Sequence, residues 1–396
     1  MGYWKNRQIA EGEQGWRFID DRFVCADCWD DYALKHVVRD NLAARKCSYC
    51  GRRGRRPLAA ELNHILTVIG QGLRSEWSLA IDELFVDDGE YVGKTWDTAE
   101  LFDEIGWPTQ NEALMEDVID AFDDNTWCEF DPFHSRPEEA LALGWDEFKE
   151  LVKTRSRFLF LMNRDDEPHL RGREEIAPAD MLGALEGALK TAGLTSILPA
   201  GTGIWRARVH RKTETLRSAR ELGSPEHAKY SNRMSPAGIA MFYGAMERET
   251  AVAEVFDRLN KRQPVGTVAT FTLNREIHVL NLAHLPPIPS LYDESQQRRR
   301  AAITFLHGFA EDLVQPVKSD AFEHIEYVPT QILTEFIRDH LLSPAGPYSG
   351  VLYRSARYNH GTNVCFFFDN DHCFDPLNKA DESGVVLDPT SLGRFP

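Results

Sequence analysis

Two Cys-x-x-Cys pairs, Cys25-Ala26-Asp27-Cys28 and Cys47-Ser48-Tyr49-Cys50, lie near the start of this chain, separated by 18 residues. Two such turns can deliver four thiolates to one tetrahedral ion, so residues 1–56 need no large apolar core to hold a shape. Four sulfur ligands leave a zinc ion no open coordination position, and the expected metal is therefore structural rather than catalytic. Four unrelated buried thiols are the plainer alternative. The chain has seven cysteines, and Cys128, Cys365 and Cys373 are expected to be simple buried thiols. Paired knuckles and an odd cysteine count suit a reducing compartment, so a cytoplasmic protein is expected. The module closes on Gly51-Arg52-Arg53-Gly54-Arg55-Arg56. That basic run reads first as a solvated face or a dock for an acidic segment, and only second as a phosphate contact.

A length of 396 residues exceeds what one core supports, so two or three domains are expected. The longest apolar runs, Phe158 to Met162 and Val364 to Phe368, fall far short of the roughly 20 residues a membrane span needs. Met1-Gly2-Tyr3-Trp4-Lys5 lacks the apolar region of a secretion signal. The net charge of −17 is concentrated: residues 82–131 hold 17 acidic residues against one basic residue, Lys94. Such a chain is a poor general ligand for nucleic acid.

From Pro57 the apolar residues Leu62, Ile65, Ile69, Leu73, Trp77, Ile81 and Leu84 recur at steps of three and four, predicting one long amphipathic helix. Asp97-Thr98-Ala99-Glu100 is close to a capping box. Further helical patterns cover roughly residues 111–122, 138–162 and 178–192. Residues 57–195 therefore read as an acidic helical bundle. Near residue 200 the period changes to the alternation of a strand at Ile204-Trp205-Arg206-Ala207-Arg208-Val209. Expected strands at 240–245, 266–273, 277–282, 349–354 and 363–369 alternate with helices at 247–259, 294–313 and 329–341, making residues 196–396 an α+β domain.

The chemistry-bearing stretch runs from Asn232 to Val255. It presents a loop arginine, Arg233, a strand tyrosine, Tyr243, and a helix glutamate, Glu254, among Ala251, Val252, Ala253, Val255 and Phe256. A carboxylate in such apolar company should be partly buried and needs a partner. Arg206 and Arg208 share one face of their strand and can supply it together with Arg233. On residues alone, half of a structural ion pair is a better reading of Glu254 than catalysis, and Tyr243 reads equally well as core.

The order of Arg233, Tyr243 and Glu254, followed by Tyr353-Arg354-Ser355-Ala356-Arg357, resembles the RES family over about residues 200–380. Tyr327 to Gln331 resembles the segment that the family places before its serine, whereas the long connection from Arg206 and Arg208 to Arg233 departs from it. The resemblance implies an ADP-ribosyltransferase-like split sheet with NAD⁺ held in its cleft, and an enzyme that destroys NAD⁺ as a bacterial toxin or defence effector, by hydrolysis or phosphorolysis of the nicotinamide–ribose bond. It implies that Glu254 stabilises an oxocarbenium-like ribose, that Tyr243 stacks on a ring, that Arg206 or Arg208 grips the pyrophosphate with Arg233, and that Ser355 hydrogen-bonds a ribose or phosphate. Ser355 has no adjacent His–Asp pair, although His360 lies five residues on.

Residues 57–190 resemble the HEPN helical domains that precede RES domains, and Arg164 and His169 fit the spacing of HEPN ribonucleases. Pro168 disfavours the helix that pair requires. Two other readings stay open: an ADP-ribosyltransferase acting on a macromolecule, and a nucleic-acid-binding HEPN-type ribonuclease, the latter less favoured. The expected partners are NAD⁺, a second copy of the chain, and an inhibitory antitoxin-like protein whose place the N-terminal half can take.

Overall fold

Helix α1 (Tyr3–Gln14) leads into β1 (Phe23–Cys25), α2 (Tyr32–Asp40), β2 (Leu42–Ala44) and β3 (Ala59–Glu61), and the strands pair in the order β1-β3-β2. Asp31 caps α2 by accepting from the amides of Ala33 and Leu34. The long helical period resolves into α3 (Leu62–Glu76), which buries Leu62, Ile65, Leu66, Ile69 and Leu73. It does not continue to Leu84. Trp77 is extended and opens β4 (Trp77–Leu79), which pairs with β5 (Trp127–Glu129), while Ile81 is left 72% exposed. Apolar spacing alone cannot tell a helix from a strand whose partner lies 50 residues away. Between them, α4 (Thr98–Ile105) starts on the expected capping box of Asp97 and Glu100, and α5 (Glu112–Phe122) follows. This computed structural model describes residues 3–122, 125–132, 134–162, 175–256, 265–316, 322–376 and 382–396.

The chain divides into two compact units, residues 1–136 with 288–301, and residues 137–287 with 302–396. These divisions differ from sequence segments ending at 56 and 195. The cysteine module shares one core with α3, α4 and α5, containing Val24, Trp29, Leu34, Phe102, Phe122 and Trp127. Residues 288–301 join that unit, with Leu291 and Tyr292 buried in the same core and Arg300 donating to Glu76 at 2.6 Å.

The second unit begins with α6 (Pro137–Thr154) and α7 (Met181–Ala192), the latter ended by Gly193 in the left-handed region at φ 69°. The α+β pattern follows: β6 (Thr195–Leu198), β7 (Gly203–His210), β8 (Phe242–Ala245), α8 (Arg248–Phe256), β9 (Val265–Leu273), β10 (Ile277–Asn281), α9 (Gln297–Val314), α10 (Val328–Asp339), β11 (Gly350–Arg354), β12 (Thr362–Phe366), β13 (Cys373–Phe374), β14 (Val385–Leu387) and β15 (Gly393–Phe395). Ten of these strands form one mixed sheet in the order β13-β14-β9-β7-β8-β12-β11-β10-β6, with β15 also on β9. One core lies between α6, α7, α9 and α10 and includes Leu280 and Val351; another contains Ile204, Phe242, Phe271, Val279, Leu352, Val364 and Phe366. Neighbours such as Val351 and Leu352 fall in different cores because successive strand side chains point to opposite faces.

The junction of β7 and β8 has the fewest paired positions in the sheet among the described residues. β7 and β9 pair over eight positions, but β7 and β8 share only the pair Trp205 and Ala245. At that seam a Cβ on Gly244 would meet the Trp205 carbonyl at 2.9 Å and Ile204 Cγ2 at 2.6 Å, so the close approach requires glycine.

Candidate functional site

The four knuckle cysteines converge. Cys25 Sγ lies 3.7 Å from Cys28 Sγ and 3.5 Å from Cys50 Sγ, and Cys28 Sγ lies 3.7 Å from Cys47 Sγ. All four sulfurs fall within 4.8 Å of one another, so the cluster could hold a metal ion. Burial resists ionisation, but amide groups of Cys50, Cys25 and Tyr49 aim at Cys47 and bring its thiol down to about 7. Burial and the Cys50 thiol push Cys25 up to about 11. Four crowded thiols cannot all ionise without a cation among them, and this donor set could hold one. Arg52 pairs with Asp27 inside the module rather than with the acidic segment. Cys128, Cys365 and Cys373 are buried thiols, as expected.

In the second unit the candidate catalytic carboxylate is held by α8. Glu247, just before the helix, accepts from Thr250 Oγ1 at 2.8 Å and from the Thr362 amide at 2.9 Å, fastening the first helical turn to β12. Two turns on, Glu254 Oε1 accepts from Ser355 Oγ at 2.6 Å and from Asn363 Nδ2 at 2.7 Å. Its other oxygen faces Arg357, whose Nε is 4.0 Å away, and the side chain is 33% exposed. The result is a one-third exposed carboxylate fixed through one oxygen, with the other facing Arg357.

Ser355 follows β11 and sits at the head of a turn. Its amide donates to the Gly361 carbonyl, and its Oγ accepts from the amides of Arg357 and Tyr358 at 3.1 and 3.0 Å. The hydroxyl proton is committed to Glu254, which makes the serine a brace for that carboxylate. His360 is exposed in the left-handed region at φ 62°, and among the described residues no hydrogen bond joins it to Ser355.

Asn363 was not singled out in the sequence, because an isolated polar residue in the apolar strand Thr362–Phe366 carries no motif. It is 3% exposed, and its Oδ1 is buried without a hydrogen-bond partner. The Nδ2 bond to Glu254 fixes which way the amide faces, so the vacant acceptor is a real cost of about 1–3 kcal/mol. A cost of that kind is commonly tolerated at functional sites.

Arg233 and Tyr243 are joined through the turn at Asn232–Ser235. Ser235 Oγ and Tyr243 Oη are 2.9 Å apart. Arg233 donates to the carbonyls of Leu313 and Gln315 at 2.7 and 2.8 Å, and its guanidinium lies 5.1 Å from the centre of the Tyr327 ring. Thr330 Oγ1 bonds the Arg233 carbonyl and Gln331 donates to the Asn232 carbonyl at 2.8 Å, so the segment from Tyr327 to Gln331 is the scaffold of the arginine loop. Tyr353 is buried with Met234, Met241 and Cys365, and burial chiefly raises its pKa well above the usual tyrosine range, with Cys365 and Glu254 adding to the rise and Arg233 opposing it. Burial likewise raises Tyr243.

Arg206 and Arg208 do not join this cluster. Register places Trp205, Ala245 and Asn363 in one row, with Tyr243 and Cys365 on the same face; the two arginines, off by one, project to the other. Arg206 donates to the carbonyls of Leu222 at 2.5 Å, Gly223 at 2.8 Å and Tyr243, and lies 4.9 Å from the centre of the Phe242 ring. Arg208 donates to the Glu221 carbonyl. The expectation that these arginines partner Glu254 is thus corrected: Ser355 and Asn363 hold the carboxylate, and among the described residues the cation paired with it is Arg357. Arg164 and His169 lie outside the described residues.

A half-buried helix carboxylate braced by a serine and an asparagine across the end of a mixed sheet is a constellation for stabilising positive charge. Two family models match the chain: the RES domain over residues 204–384 and HEPN/RES N-terminal domain 1 over residues 40–166. The chain therefore carries a RES domain preceded by a HEPN/RES N-terminal domain, the order that its motifs predict. RES domains are associated in general with NAD⁺-utilising toxin function. No curated protein and no solved structure matches the chain. Among the described residues no helix is long and apolar enough to cross a membrane.

Proposed function

We propose that the RES domain of this chain cleaves the nicotinamide–ribose bond of NAD⁺, as a glycohydrolase or a phosphorylase. The observation that carries this reading is Glu254, with Oε1 fixed by Ser355 and Asn363 and Oε2 left for a substrate. When the C1′–N bond breaks, nicotinamide departs with the electron pair and the ribose carries oxocarbenium charge. A preoriented carboxylate lowers the energy of that charge and accepts from a ribose hydroxyl. Asn363 Oδ1, buried and unpartnered, is an acceptor for a second donor if the site opens on binding. Arg233 keeps the loop that carries Ser235 in place, and Ser235 orients Tyr243 beside the carboxylate face. An ADP-ribosyltransferase-like placement of the substrate, at the seam where β7 and β8 part, belongs to the same proposal.

The purified full-length protein should release free nicotinamide from NAD⁺. Running the reaction with and without inorganic phosphate separates ADP-ribose from its phosphorylated counterpart as the product. Absence of nicotinamide under both conditions overturns the reading, and ADP-ribose found attached to a macromolecule favours the transferase.

For the cysteine cluster we propose structural zinc. A tetrahedron with Zn–S bonds of about 2.3 Å has S–S edges of about 3.8 Å. The sulfur separations of 3.5–3.7 Å are close to that value. Elemental analysis should find one zinc per chain, lost from Cys47→Ser; full reactivity of all four thiols in the native protein would count against it.

A further inference from the structure

A second concave surface lies on the side of α8 away from Glu254. It is a cleft of about 620 Å³, lined by Arg248, Glu249, Val252 and Phe256 of the helix and by Arg357 and Tyr358 of the turn after Ser355. At about 100° per residue, Glu254 points roughly 200° round the helix from Val252, so cleft and carboxylate occupy opposite sides of α8. They meet at Arg357, which lines the cleft and holds its Nε 4.0 Å from Glu254 Oε2. The volume falls within the usual range for small-ligand sites. Phe256 is 56% exposed and Tyr358 41%, so both rings present surface at the cleft.

We infer that this cleft binds the adenosine diphosphate half of the dinucleotide. The inference rests on the NAD⁺ reading above and adds to it where the remote half of the substrate sits. A dinucleotide carries its diphosphate between two nucleosides, and the side chains here follow that order. Arg357, between the two surfaces, meets the diphosphate with Arg248 at the other end, since guanidinium groups pair with phosphate oxygens through two donors. The nicotinamide ribose then extends to Glu254. On the other side, the rings of Phe256 and Tyr358 offer planar apolar surface to a base, and base–aromatic stacking needs no particular hydrogen-bond pattern. Glu249, exposed on the cleft wall, is an acceptor for ribose hydroxyls, the role acidic side chains take in other dinucleotide sites.

Binding of ADP to the full-length chain is measured by calorimetry, together with kcat and KM for NAD⁺ and for nicotinamide mononucleotide, which lacks the adenylate. Arg248→Ala and Phe256→Ala alter exposed positions, and thermal melting confirms that they fold. Phe256→Ala should weaken ADP binding about tenfold, as loss of one base–aromatic stack does, and Arg248→Ala by about as much through loss of a charged contact to the diphosphate. KM for NAD⁺ should rise to a similar extent with kcat within about twofold, because remote contacts of this kind bind ground and transition states alike. Turnover of nicotinamide mononucleotide should not change. If NAD⁺ is cleaved but ADP does not bind, or both variants keep wild-type KM, the cleft inference fails and the NAD⁺ reading stands. If the wild-type protein cleaves neither substrate yet binds ADP in a manner that Phe256→Ala abolishes, the cleft holds a nucleotide and the glycosidic reading is the part that fails.

Discussion

The two faces of the ten-stranded sheet each carry a polar cluster, built in opposite ways. On one face Arg206 has three backbone carbonyls and an aromatic ring as partners, and burial, with Arg208 beside it, lowers its pKa to about 10. Every contact of that guanidinium points inward to the chain. On the other face Glu254 has two donors on one oxygen and only Arg357, 4.0 Å away, against the other among the described residues, and its partner Asn363 has a buried acceptor without a donor. A cluster whose hydrogen bonds close on themselves stabilises the fold, whereas one that leaves capacity unused is available to a ligand. By that criterion the contacts of Arg206 are those of a structural residue, whereas Glu254 keeps capacity for the role proposed above; both were candidates in the sequence.

Substituting Arg206 tests the architectural side with the largest expected effect. Arg206→Met strands the carbonyls of Leu222, Gly223 and Tyr243, and should cost about 3 kcal/mol or more. For a protein of this size that lowers Tm by roughly 6–12 °C. Calorimetry should find this loss, with NAD⁺ turnover per folded molecule retained below the transition. An unchanged Tm with a raised KM would place Arg206 at the substrate and break the comparison.

Glu254→Gln should do the reverse. The amide oxygen still accepts from Ser355 and Asn363, so Tm should stay within about 2 °C. Removing the charge should lower kcat by about 10² or more, the range for one preoriented electrostatic contact. A variant that melts far lower and loses activity only through unfolding would turn Glu254 into the structural partner it resembles on residue type alone. Full activity would remove it from the mechanism.

The smallest effect sharpens the comparison within the site. Ser355→Ala removes one of two donors to Glu254 Oε1 and leaves Asn363 in place. Turnover should fall about tenfold, the worth of roughly 1.4 kcal/mol of positioning. Loss of all activity, together with a covalent adduct on Ser355 detected by mass spectrometry in the wild type, would make the serine a nucleophile instead.

Several parts of this molecule were legible because they depend on neighbours in sequence. The capping box at Asp97 and Glu100, the strands expected near 204–209, 240–245, 266–273, 277–282, 349–354 and 363–369, and the convergence of four cysteines follow from spacings of a few residues or from a strong pairwise motif. The order of Arg233, Tyr243, Glu254 and Ser355 picked out residues of which Glu254 and Ser355 are hydrogen-bonded in the structure. Asn363 was not legible, since its partner Glu254 lies 109 residues away and its strand is otherwise apolar. Nor was the end of α3, where the apolar period runs on through Trp77, Ile81 and Leu84 while the backbone becomes a strand.

Local chemistry in the sequence determined that a cysteine-bound module precedes an acidic helical stretch and an α+β domain, and that Glu254 sits on an apolar helix in need of partners. It also put Arg206 and Arg208 on a common face. Only the tertiary structure decided which face that is, because side-chain direction across a sheet is set by register with β8 and β12, through Trp205 opposite Ala245 and Ala245 opposite Asn363. A shift of one residue would have turned the arginines toward Glu254. The same holds for residues 288–301, whose Leu291 and Tyr292 complete the core of the first unit. Burial of apolar surface is non-directional in sequence, and which distant segment fills a core is settled by the assembled shape.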